Sequence, residues 1–239
     1  MPLRSPRLCI CHRRLGGTSI RELQKDCLLR NNASRGTYDR QPFAYGAFRS
    51  VAKGKYTKGP RAGDAMVVKW FTTGTVFEES YYDTDVLTVK TATGIINAFN
   101  ALNLATQKVY LNQPEVWKDL NDDSKLLVEP YMADFRKFNS NTGGTSGDSL
   151  MTALSHYSYH HSGAKLLLCD LQGAARSDCY IITDPVVMSA RREYGPTDLG
   201  QAGINNFFYH HRCSSLCQPH WQKNRGQYQY TPVMTTTLT

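Results

Sequence analysis

From Pro42 onward the chain alternates short apolar runs with turn residues, and the spacing of the apolar positions predicts its elements. "FAYGAFRSVAKGKYT" (43–57) is aromatic and β-prone, broken by Gly46 and Gly54, and reads as a hairpin. "GPRAGD" reads as a turn, and "AMVVKWF" as a short apolar strand interrupted by one lysine, Lys69. From Tyr82 to about Leu104, apolar residues recur at Val86, Val89, Ile96 and Phe99, which is helical spacing. "KLLVEPYM" predicts a strand that stops at Pro130, and "FNSNTGGTSGDS" predicts a loop. A helix from Ser149 carries Leu150, Leu154 and Tyr157 on one face and ends at Gly163. "KLLLCDL" and "YIITDPVVM" read as strands, and the glycine loop "YGPTDLGQAG" leads into a last helix, "INNFFYHHRCSSLC". No repeat is present. β-rich and then mixed, the order predicts an α+β fold in two lobes.

At 239 residues the chain can bury a large core. Its apolar runs fall short of the ~18 residues of a membrane helix, and the N-terminus has basic residues without an apolar h-region. These features predict a cytoplasmic protein with no membrane segment. Net charge is +8, but residues 1–40 hold nine Lys/Arg against three Asp/Glu, and the remainder 19 against 17. The basic character therefore belongs to a flexible leader over 1–40, a contact for acidic partners. The globular part, near neutral, lacks the footprint of a nucleic-acid binder. Seven cysteines, an odd number without secretory features, argue against a disulfide framework. Cys9, Cys11 and Cys27 lie in the leader, and "CICH" there is too cramped for a metal site.

Three places carry chemistry. Lys69 sits in an apolar strand, where burial requires an anion such as a nucleotide phosphate; the alternative is an edge-strand lysine facing solvent. Asp170 and Asp184 each end an apolar strand, with Gln172 two residues after the first and on the same strand face. Such oxygen donors hold Mg²⁺ beside phosphates, and they equally cap turns. Gly195, Gly200 and Gly203 enter a helix, where backbone N–H groups can approach an anion or an extended peptide, or simply make a turn. "YHHRCSSLC" packs His and Cys together, and by itself fits a metal site, a disulfide remnant or coincidence.

Taken in order, "FAYGAFR", "VVKWF", "VEPYM…FRKFNSN", "LSHYSY", "LLLCDLQG", "ITDPVVM", "GPTDLGQAGINNFF" and "HHRCSSLC" resemble the alpha-kinases, atypical protein kinases. The resemblance spans roughly residues 42–220. H-R-D-L-x-x-x-N, D-F-G and Walker A signatures are missing, which agrees with an atypical kinase. It implies a catalytic domain over 41–222, with an N-lobe to about 128, a hinge at 129–133 and a C-lobe from 134; 223–239 is a tail. By motif, Lys69 resembles the strand lysine on the ATP phosphates and Arg49 a second phosphate-binding cation. Glu129 and Tyr131 resemble the hinge whose backbone reads adenine. Asp170 resembles the catalytic aspartate, and Gln172 and Asp184 the Mg²⁺ ligands. A structural Zn²⁺ is implied at His156, His211, Cys213 and Cys217, the two cysteines adjacent at i, i+4 on one helix face. His160, His161, His210 and His220 are left as surface or packing residues.

Two departures stand out. "DLQGAARSDCYIITDP" is long between its aspartates, as if a bulged loop contained Cys179, and Ala133 stands where glycine is common. Neither removes a chemical group. The resemblance therefore implies a serine/threonine protein kinase using ATP and Mg²⁺ on a protein substrate, including helical segments. An inactive kinase-fold scaffold and a zinc-containing nucleic-acid module are the alternatives.

Overall fold

The computed structural model describes residues 33–46, 48–72, 78–229 and 237–238. In chain order the N-terminal half forms β1 (Arg35–Tyr38), β2 (Ala44–Tyr45), β3 (Arg49–Lys58), β4 (Ala65–Phe71), α1 (Glu78–Ala101), β5 (Lys108–Leu111), β6 (Glu115–Lys118) and β7 (Lys125–Pro130). The second half forms β8 (Arg136–Lys137), α2 (Ser149–His161), β9 (Leu166–Cys169), β10 (Gln172–Ala175), β11 (Cys179–Thr183), β12 (Val186–Ser189), α3 (Gly200–His210) and β13 (Thr237–Leu238).

An antiparallel sheet, ordered β13-β2-β3-β4-β7-β6 with β1 also on β3, makes the first lobe. Its registers Val51↔Lys69↔Leu127 and Lys53↔Val67↔Glu129 place these six residues on one face, because directly opposed residues share a face. The opposite face is apolar: Tyr56, Met66, Val68, Leu126 and Val128 cluster under Tyr38, Trp70 and Trp117. Period-2 alternation along β4 thus separates core from site.

Several expectations are corrected here. Gly54 does not break a hairpin; it lies within β3, and a Cβ there would meet the Thr37 carbonyl at 2.6 Å, so glycine admits the crossing of β1. The leader is shorter than 1–40, since Arg35–Tyr38 pair with Tyr56 and its neighbours in β3. Its remaining residues to 32, with Cys9, Cys11 and Cys27, lie outside the described residues. The tail from 223 is also in part structured: Asn206 bonds Gln229, and β13 pairs with β2.

The first sheet runs to Pro130 at the end of β7, but β5 and α1 already belong with the second lobe. β5 joins the second sheet, ordered β5-β11-β10-β8, before the chain returns for β6 and β7. α1 buries Ala92, Ile95, Ile96 and Phe99 in the second lobe's core, beside Leu154 of α2 and Ile182 of β11. Its apolar stripe begins only after Val86, which is 59% exposed. α2 starts as predicted because Asp148 caps it, accepting from the Leu150 and Met151 N–H groups. "YIITDPVVM" is two strands in two sheets, β11 and β12, parted at Asp184. The stretch between the aspartates is a regular β10–β11 hairpin rather than a bulged loop, with Cys179 inside β11. α3 stops at His210, so Cys213 and Cys217 share no helix face. Beyond it the Ser214 hydroxyl donates to the Ser149 carbonyl and accepts from Leu216 N–H, which favours a turn over helix. No helix among the described residues is long and apolar enough to cross a membrane.

Candidate active site and metal centre

Lys69 is the centre of the site. It is 5% exposed on the inward face of β4, and its ammonium pairs with the Glu129 and Asp184 carboxylates. An edge-strand lysine facing solvent is thereby excluded. Burial of the lysine works against its charge, but Asp184 and then Glu129 outweigh it and hold the ammonium above its ordinary pKa. Glu129 is 3% exposed and also accepts from the Thr183 hydroxyl at 2.6 Å and the Asn112 amide at 3.0 Å. Burial pushes its carboxyl up, with Lys69 opposing. Asp184 goes the other way: burial raises it, yet Lys69 and then Arg49 bring it below the ordinary range. One carboxylate is thus buried structure, and the other, 35% exposed, opens toward solvent.

The Glu129 side chain is therefore fully engaged, by Lys69, Thr183 and Asn112. Tyr131 N–H is likewise occupied, donating to the Ala65 carbonyl at 3.1 Å. Arg49, on β3, pairs with Asp85 of α1 and lies over the Phe71 ring, 4.8 Å from its centroid. Burial lowers the Arg49 pKa, but Asp85 more than restores it, so the cation is fixed beside Asp184. Asp85 carried no sequence signal, since it is one of several acids along α1.

Asp170 follows β9 with φ 55°, and Asp184 follows β11 with φ 45°. Left-handed backbone is tolerated by aspartate and is concentrated at functional sites. It breaks the strand alternation, so Asp170 and Gln172 are not successive same-face positions as predicted. Gln172 instead opens β10 opposite Thr183, the residue before Asp184. Asp170 is gripped by Lys137 of β8 at 2.7 Å. Burial raises its carboxyl, and the Lys137 contact opposes this. Asn139 locks the crossing: it accepts from Leu171 N–H and donates to Ser155, both at 2.9 Å. Lys137 and Asn139 lie in "FRKFNSN", far from Asp170 and Leu171 in sequence, and local pattern gives no sign of either contact.

The glycine loop is built around a buried carboxylate. Asp198, buried, accepts from Ser189 N–H and hydroxyl, Tyr194 N–H and Gly200 N–H. Gly195 and Gly200 have φ 85° and 71°. A Cβ on Gly203 would meet Met188 Sδ at 2.4 Å, so this glycine lets α3 approach β12. The loop is tied down at two points: the Asn141 amide donates to the Thr197 carbonyl, and the Tyr194 hydroxyl lies 3.4 Å from that of Thr91 of α1. Asp198→Ala is expected to lower stability by about 2–4 kcal/mol, since several buried donors lose their acceptor. Denaturant unfolding checks this, and a change below about 0.5 kcal/mol, the size of an ordinary surface substitution, counts against it.

A second cluster gathers His156 of α2 with His211, Cys213 and Cys217 after α3, their ligand atoms all within 4.8 Å of one another. Cys213 Sγ lies 3.7 Å from both His156 Nδ1 and His211 Nε2. Tetrahedral zinc with Zn–N near 2.0–2.1 Å and Zn–S near 2.3 Å spaces such ligands by about that much. The other His156 nitrogen faces the Gln222 carbonyl at 3.0 Å, the orienting contact metal-bound histidines use. Burial holds both histidines down to about 4, in the neutral ligating form. The residues fit a closed structural metal site, and the chain reaches it by a turn.

Residues 44–217 match the model of the Alpha-kinase family. The chain is 31% identical to Myosin heavy chain kinase C of Dictyostelium discoideum over 187 residues, 75% of this chain and 23% of that protein. It is 37% identical to Transient receptor potential cation channel subfamily M member 6 of Homo sapiens over 101 residues, 39% of this chain and 5% of the relative. It thus spans less than a quarter of either relative's length. An alpha kinase from Entamoeba histolytica superposes with TM-score 0.68 at 24% identity, covering 85% of both chains. The alpha-kinase domain of Myosin Heavy Chain Kinase A in complex with ADP does so with TM-score 0.66 at 25% identity, over 76% of this chain and 86% of that one. The matched residues include every member of both clusters, and this chain belongs to the alpha-kinase family of atypical protein kinases.

Proposed function

We propose that this domain transfers the γ-phosphate of ATP to serine or threonine of a protein substrate, helical segments included. The observation that carries the reading is Lys69, a buried cation placed between a structural carboxylate and one open to solvent, with Arg49 beside it. Two cations on one cleft are what a polyphosphate requires. Gln172, which opens β10 opposite Thr183, and Asp184, the residue after Thr183, are oxygen donors that would hold Mg²⁺, which supplies neutralisation of the phosphate oxygens. Zn²⁺ is assigned to His156, His211, Cys213 and Cys217, away from the chemistry.

In the transfer, the substrate hydroxyl oxygen bonds to the γ-phosphorus as the bond to the β–γ bridging oxygen breaks. Asp170 orients that hydroxyl and accepts its proton; its burial-raised carboxyl suits the task, and Lys137 keeps it in place. Lys69 and Arg49 meet charge on the leaving diphosphate.

Incubation with Mg-ATP and a basic protein or a helical peptide, followed by phosphosite mapping, tests this. Phosphate should appear on Ser or Thr. Asp170→Asn should abolish transfer while leaving Mg-ATP binding, whereas Asp184→Asn should weaken metal-dependent binding too. Absence of both phosphate transfer and ATP turnover in the parent protein would refute the reading.

A further inference from the structure

Resting on that phosphotransfer reading, we propose that the side of α3 carrying Asn205, Asn206, Tyr209 and His210 is a docking site for an extended segment of the protein substrate. The chain's own tail, residues 224–229, fills it in cis.

Asn206 reads main chain. Its side-chain oxygen accepts from Gln229 N–H at 2.8 Å, and its amide donates to the Gln229 carbonyl. A side-chain amide matched to both backbone groups of one residue recognises an extended peptide without regard to that residue's side chain. Neighbouring positions add selection. The Tyr228 ring lies 5.2 Å from that of Tyr209 and 5.7 Å from that of His210. A Cβ on Gly226 would meet Asn205 Oδ1 at 2.3 Å, and Asn205 is itself held by Gln201 and Asn224. The site therefore takes a glycine, an aromatic residue two positions on, and a clamped backbone after it.

The tail is held lightly. Buried Trp221 anchors its start, but residues 225–229 are exposed while the Asn206 beneath them is 1% exposed. A competing segment can displace them without opening the core. One loop joins this site to the catalytic centre. Lys137 holds Asp170, and Asn139 accepts from Leu171 N–H. Further along, the Asn141 amide donates to the Thr197 carbonyl at 3.4 Å. Gly143, with φ 96°, lies so close to α3 that a Cβ would meet the Asn206 carbonyl at 2.8 Å. The loop thus runs from Asp170 to the clamp, and a substrate chain that leaves Asp170 along it reaches α3.

Transfer kinetics on the whole chain with a serine peptide test this. Extending the peptide by Gly-Gln-Tyr-Gln, on one side of its serine or the other, should lower KM roughly 3–10-fold against a scrambled extension, the worth of about one hydrogen bond. Gln229→Pro in the chain removes the N–H that Asn206 receives. It should lower KM for the extended peptide further and leave the scrambled one alone, because the site is no longer occupied in cis. A labelled peptide of residues 223–229, KNRGQYQ, should bind the Gln229→Pro chain more tightly than the parent. Within that peptide Gln229→Ala should be neutral and Gln229→Pro should weaken binding, the mark of backbone recognition. Equal KM for extended and scrambled peptides on both sides overturns the proposal. So does a Gln229→Pro chain that loses kcat at constant KM, which would make the tail a brace for the lobe rather than a competitor. A parent that transfers no phosphate to any peptide refutes the phosphotransfer reading. The labelled peptide then decides docking separately, and its failure to bind the Gln229→Pro chain overturns the docking site.

Discussion

Lys69→Ala should lose phosphate transfer by a hundredfold or more, roughly 2.7 kcal/mol of transition-state stabilisation, and should also lose stability. The second half comes from the structure. Lys69 pairs with Glu129, which is 3% exposed, so removing the cation strands a buried carboxylate at about 3–5 kcal/mol. Burial already pushes Glu129 above its ordinary value, and without Lys69 it rises further. A raised folded-state value means the folded chain binds more protons than the unfolded one. The variant's stability should therefore fall as pH rises above about 4.3, the unfolded glutamate's range, and recover toward it. Adding Glu129→Gln should restore stability at neutral pH without restoring transfer. The amide keeps an oxygen for the Thr183 hydroxyl and carries no charge to strand. Denaturant unfolding and a Mg-ATP transfer assay read the two effects apart; a folded Lys69→Ala protein with near-normal transfer would sink the assignment.

This divergence shows what the sequence could carry. Lysine in "VVKWF" announces itself because an apolar strand has no ordinary use for a buried charge, and Asp170 and Asp184 stand out at the ends of apolar runs. The two-lobed α+β reading followed from periodicity alone and agrees with the alpha-kinase likeness. The partners were not legible. Glu129 resembles a hinge residue by its motif alone, and only cross-strand register shows its side chain turned toward Lys69. Asp85 and Lys137 are ordinary surface charges until α1 and β8 bring them to Arg49 and Asp170. Strand alternation failed at Asp170 because a left-handed residue intervenes, and helical periodicity failed after His210 because the chain bends to reach α2. Local pattern reads one element at a time, and each miss arose where two elements meet.

The "HHRCSSLC" cluster should behave as a folding element. His156 comes from the middle of α2, while His211, Cys213 and Cys217 come from the segment after α3, so a bound metal ties the end of the lobe to its core. The neighbourhood is built around that tie: His156 packs edge-on against Trp221 and Phe208, and Gln222 orients its far nitrogen. Four protein donors leave no position for water, as in structural rather than catalytic zinc. Metal affinity then counts as folding free energy, and loss of a ligand acts on stability before activity. Cys213→Ser and His156→Ala should give insoluble or readily proteolysed protein, and strong chelators should lower the unfolding temperature of the parent. His210→Ala and His220→Ala should be tolerated, since neither belongs to the four-donor set. Elemental analysis should find about one zinc per chain, the stoichiometry of one closed site. A metal-free preparation that unfolds at the same temperature as the metal-loaded one would show that packing alone holds α2 to the segment after α3.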